Sequence, residues 1–87
     1  MVVDHPSGLI SVSGRVVSLS EQGCELRLHR HIEAYLVARV NIEGVWLPVL
    51  TRWVRDDGHG WTVGCQFDRP TPDKQRAIRS LLATAPA

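Results

Sequence analysis

Between Ser18 and His29 the chain has little freedom of fold. A polar bend, Ser18-Leu19-Ser20-Glu21-Gln22-Gly23, runs straight into a strict alternation. Cys24, Leu26 and Leu28 point one way, and Glu25, Arg27 and His29 the other. A period of two belongs to a half-buried β-strand and cannot give a helix one apolar face. Upstream, Ile10, Val12, Gly14 and Val16 alternate with Ser11, Ser13, Arg15 and Val17, which predicts a first strand. Ser closes turns through its hydroxyl and Gly tolerates left-handed torsions, so the bend joins the two strands as an antiparallel pair.

The same logic extends downstream. Leu36, Ala38, Val40 and Ile42 form the inward set of a third strand, and Glu43-Gly44 is a hairpin turn. Val45 to Arg55 is long for one strand. Pro48 cannot donate to a ladder, so it predicts an edge or a bend there. Asp56-Asp57-Gly58-His59-Gly60 makes another turn, and Trp61, Val63, Cys65 and Phe67 line the last strand. Then the period changes. Thr71 reads as an N-cap, Pro72 as the first helical residue and Asp73 as a charge suited to the helix dipole. Ala77, Ile78, Leu81 and Leu82 gather on one helical face. Residues 1–87 read as a single domain, with strands over about 9–68 and a C-terminal helix over about 72–83. Successive antiparallel strands with one terminal helix predict a small barrel whose open end or edge the helix covers.

Composition narrows the function. Ten basic residues against nine acidic ones leave a net charge of +1, too weak a field for bulk nucleic-acid binding, though a local anion site is allowed. No apolar run reaches the length of a membrane span, so no membrane insertion is expected. The start Met1-Val2-Val3-Asp4-His5-Pro6 has neither the basic head nor the apolar centre of a signal peptide, which predicts the cytoplasm. There Cys24 and Cys65, both at inward strand positions, stay reduced even if they face each other across the sheet. His29 and His31 share a strand face but lack a third ligand at metal spacing, so no metal and no cofactor is predicted. No nucleophile, base and orienter combine, which predicts a protein that is not an enzyme. Trp53 and Trp61 have inward phase. Trp46 has the opposite phase and is the candidate contact point for a protein partner, a second copy of the chain included.

The bend, with Gly14-Arg15-Val16-Val17 before it, resembles the second half of the PilZ domain signature. That family writes it as Asp or Asn, any residue, Ser, two residues, Gly. Here Ser18 takes the first position, and Ser20 and Gly23 match. The late strand Gly60-Trp61-Thr62-Val63-Gly64-Cys65-Gln66-Phe67 is similar to the family's Gly, aromatic, Gly, Phe strand before its helix, so the resemblance covers roughly Ser11 to Leu82. It implies a mainly β fold, a small antiparallel six-stranded Greek-key β-barrel with one C-terminal α-helix. It also implies a bacterial cytoplasmic signalling module that binds cyclic di-GMP and acts as receptor or adaptor.

The resemblance places the nucleotide at Ser18, Ser20 and Gly23. The family's upstream Arg-x-x-x-Arg arm, which grips guanine and phosphate, has no counterpart, since no Arg precedes Arg15. A lost charge-assisted contact costs about 1.5–3 kcal/mol, so losing two weakens binding by about two to four orders of magnitude. Two ways of supplying a guanidinium stay open: Arg15, three residues before Ser18, or an arm encoded upstream of Met1. The sequence therefore predicts a receptor with weakened or lost nucleotide binding. The alternative is a ligand-independent adaptor working through Trp46, for example in motility, pilus or polysaccharide regulation.

Overall fold

The computed structural model describes residues 2–5 and 8–84. Its strands are β1 (Val2–His5), β2 (Gly8–Ser11), β3 (Gly14–Leu19), β4 (Gly23–Leu28), β5 (Val37–Ile42), β6 (Val45–Asp56) and β7 (Trp61–Phe67), followed by α1 (Pro72–Thr84). They form one sheet in the order β2-β1-β5-β6-β7-β4-β3, every neighbour antiparallel. The chain is thus mainly β with one C-terminal helix. Hairpins link β5, β6 and β7, and β4 lies on the far side of β7, which is a Greek-key connection.

A six-stranded barrel is not confirmed: among the described residues the sheet has two free edges. Strands β3 to β7 make a curled half-barrel, and the short β1–β2 hairpin extends it beyond β5. No pairing among the described residues joins β2 to β3. The expected first strand is also two strands. The chain leaves the ladder after Ser11 and re-enters at Gly14, so β2 and β3 occupy opposite edges of the sheet. Alternation continues through the break, which is why the sequence reads as one segment. Val12 is buried, whereas Val16 on the edge strand is exposed; the orientation of Ile10 lies outside the described residues.

The core fills the concave face. Leu26 and Leu28 from β4, Val40 from β5, Leu47 and Val49 from β6 and Val63 and Phe67 from β7 are all buried, and Ile78 and Leu81 of α1 belong to the same cluster. Thr71 Oγ1 accepts the Lys74 amide at 3.3 Å, so the N-cap sets where the helix starts and hence which face it presents. Glu43 and Gly44 both have positive φ, 50° and 85°, which matches the right-handed twist of β5 and β6. The Asn41 side chain caps that turn by accepting the Gly44 amide at 2.9 Å.

Pro48 lies inside the sheet, not at an edge. Its Cα partner is Arg39 of β5, while its carbonyl accepts the Asp68 amide at 2.9 Å just past the end of β7. In an antiparallel strand the N–H and C=O of one residue point to the same side. The missing donor therefore faces the β7 side, where that strand has already ended. The irregularity of β6 comes later, as a register shift between Thr51 and Trp53.

Among the described residues, no helix is long and apolar enough to cross a membrane. Cys24 and Cys65 are free, buried and directly opposed on β4 and β7. A hydrogen bond with Cys24 and burial push the Cys65 thiol far above its ordinary range.

Candidate functional site: the bend cleft

Ser18, Ser20 and Gly23 come together on one open cleft of about 330 Å³. A register shift between Val16 and Ser18 kinks β3 as it enters the bend and sets Ser18 opposite Glu25. The far wall belongs to β6 and β7: Arg52, Trp53, Gly64 and Gln66.

Each bend residue has a local task. Ser20 Oγ accepts the amides of Gln22 and Gly23 and can donate to the Gly23 carbonyl, each at 3.3 Å, while the Ser20 amide bonds that carbonyl at 2.9 Å. Its hydroxyl is occupied in holding the turn. Gly23 is there for space, because a Cβ would overlap the backbone carbonyl of Cys65 on β7. Together they pin the bend against β7, and Ser18 lines the cleft with no side-chain hydrogen bond among the described residues.

Trp53 overturns its sequence reading. The bulge in β6 inserts a residue after Thr51, so inward phase passes from Leu47, Val49 and Thr51 to Val54. Trp53 is thereby turned to the outer face, 38 % exposed, and its indole lies across Gly64 in the space a side chain would need. Arg55 sits 5.5 Å from its ring centroid, and Arg52 sits 6.0 Å from that of Tyr35. Arg52 and Trp53 are among the lining residues that sequence reasoning missed, because nothing in a linear pattern marks a bulge.

Electrostatically the cleft is balanced. Among the described residues that line it, Arg52 is the one cation and Glu25 the one carboxylate. Arg15 does not line it. That side chain borders a second cavity with Arg27, His29 and His59. Nearby, Asp57 accepts from Arg55 Nε at 2.9 Å, from Arg27 at 3.5 Å and from the Thr62 hydroxyl. The Thr62 bond first, then Arg55, holds the Asp57 carboxyl below its ordinary value. Trp46 is 41 % exposed on the same outer face, opposite Asn41 of β5, with Arg39 5.7 Å from its ring centroid. Among the described residues, no group of three or more His, Cys, Asp or Glu is placed to hold a metal ion.

No curated protein sequence and no solved structure gives a significant match to this chain. The sequence model of the PilZ domain does, over residues 2–84, nearly the whole length. With that match, the half-barrel and the bend carrying Ser20 and Gly23, the chain belongs to the PilZ domain family.

Proposed function

We propose that this protein is a non-catalytic cyclic di-GMP signalling module whose nucleotide site is the bend cleft, with affinity reduced relative to a site that carries the arginine arm. Membership of a family of cyclic di-GMP receptors and adaptors supports the ligand class. The charge of the cleft carries the reduced affinity. Cyclic di-GMP brings two phosphodiester anions, and one guanidinium beside one carboxylate offers them almost no net attraction. Arg52 takes the role that an arm arginine would have, meeting phosphate or the O6 and N7 edge of guanine. Trp53 offers the aromatic wall against which a base packs. Ser18 supplies a hydroxyl where the family has a longer polar side chain, and Gly23 keeps the floor low.

Arg52→Gln is therefore expected to weaken cyclic di-GMP binding by about tenfold, followed through quenching of tryptophan fluorescence. Glu25→Gln removes the opposing carboxylate and is expected to strengthen it. Unchanged affinity in both variants would remove the cleft as the site.

The outer face supports protein contact as the output. Trp46 stands in line with Pro48 and Leu50 on β6, and exposed Val37 pairs with Leu50 across β5. An exposed Trp amid smaller apolar neighbours suits the anchor of a protein interface. This reading requires no nucleotide, which makes it the alternative if the cleft proves silent. Trp46→Ala is expected to change stability by no more than about 0.5 kcal/mol while abolishing capture of a protein partner or of a second copy. Capture equal to wild type would exclude this surface.

A further inference from the structure

Arg15 of β3 and Arg27 of β4 are direct cross-strand partners. Like charges so opposed destabilise a sheet unless something of the opposite sign lies between them. Both line the second cavity, about 480 Å³, together with Ser13, Gly14, His29 and His59. Three parts of the chain thus converge there: the β3 edge, the end of β4 and the β6–β7 turn. Every ionisable residue lining the cavity is basic. In a chain whose overall charge is only +1, this is a local concentration and not a general property.

The carboxylate that pairs with Arg27 neutralises the cluster only in part, because it is shared with Arg55. Asp57 reaches a terminal nitrogen of Arg27 at 3.5 Å but is held closer by Arg55 Nε, at 2.9 Å, and by the Thr62 hydroxyl. Arg27 Nε is buried and has no hydrogen-bond acceptor among the described residues. A desolvated N–H on a charged group is costly to leave unmade. Two guanidinium forks, a hydroxyl and two imidazoles supply more donors than a carboxylate's two oxygens can use, and they suit a tetrahedral anion with three or more.

We propose that this cavity is a second anion site, separate from the bend cleft, that binds a small phosphoanion carrying a terminal phosphate between Arg15 and Arg27, with His29 and His59 at its rim. It shares no lining residue with the bend cleft, so it stands whether or not the cleft binds a nucleotide.

The test is an amide NMR titration of the full 87-residue chain with sodium pyrophosphate, against sodium chloride at matched ionic strength. Saturating shifts are expected at Ser13, Gly14, Arg15, His29 and His59. Arg15→Gln, at an exposed edge position, is expected to weaken binding at least about tenfold, and His59→Gln in the turn to weaken it less. Arg79→Gln, on the exposed face of α1, should leave it within about twofold. Shifts that fail to saturate, or equal loss in all three variants, would overturn the site in favour of diffuse surface charge. Saturation of the same amides by cyclic di-GMP but not by pyrophosphate would overturn the terminal-phosphate assignment and give the cavity to a phosphodiester.

Discussion

Gly23→Ala is expected to destabilise the protein by about 3 kcal/mol, the largest effect of any single methyl group added near the site. The argument is steric. The new Cβ would coincide with the Cys65 carbonyl, which belongs to a central strand and cannot swing aside as a flexible side chain would. Relief requires β4 and β7 to separate where Gly23 faces Gln66 and Cys24 faces Cys65. That separation would also unseat the Phe67 amide from the Gln22 carbonyl, now 2.8 Å away. Urea unfolding followed by tryptophan fluorescence measures the loss. A change below about 1 kcal/mol would mean that the bend yields easily and that glycine is present for some reason other than the close approach.

Thr51→Val comes next, at about 2 kcal/mol, although it exchanges one atom group for another of nearly equal size. Thr51 is fully buried, and it ties the crossover between β4 and β5 to the inner face of β6. Its hydroxyl accepts the Leu36 amide at 2.8 Å and donates to the Glu33 carbonyl at 2.9 Å. Its backbone bonds Tyr35 and Leu36 at 2.6 and 2.9 Å. These four bonds hold Tyr35 at φ 63°, a torsion that a non-glycine residue adopts only when its surroundings impose it. Valine leaves the amide and the carbonyl without partners inside the protein, where each costs its full desolvation. A fall in Tm of roughly 10 °C is expected, with faster exchange of the Leu36 amide. Thr51→Ser keeps the hydroxyl and should lose less than half as much. Equal losses in the two variants would place the cost in packing instead of hydrogen bonding.

What could be read from the sequence follows from what is local. The alternation of Cys24, Leu26 and Leu28, the Glu43-Gly44 turn and the Thr71-Pro72-Asp73 helix start are each decided by neighbours within a few residues, and each has its counterpart in the structure. The bend belongs with them only in part: Ser20 acts through the turn it sits in, whereas Gly23 lacks the expected left-handed torsion and is required by its close approach to the Cys65 carbonyl on β7, which no local pattern shows. The misreadings share another cause. Which edge β2 takes is set by its hairpin with β1 and the pairing of β1 with β5, not by the alternation it carries. Pro48 is tolerated inside the sheet only because β7 ends beside it. The bulge after Thr51 exists because β6 must keep register with β7, and it sends Trp53 outward against its linear phase. Beside that displacement lie Arg52 and Trp53, two cleft residues that no motif identifies. Arg15, close to Ser18 in sequence, ends in a different cavity.

The bend cleft as a weakened cyclic di-GMP site is tested most directly by calorimetric titration of the 87-residue chain with cyclic di-GMP, with GTP as control and Arg52→Gln in parallel. Saturable heat with a Kd of roughly 0.1 mM, absent with GTP and reduced by Arg52→Gln, is the expected result. No heat with cyclic di-GMP at millimolar concentration, or tight binding indifferent to Arg52→Gln, would contradict it.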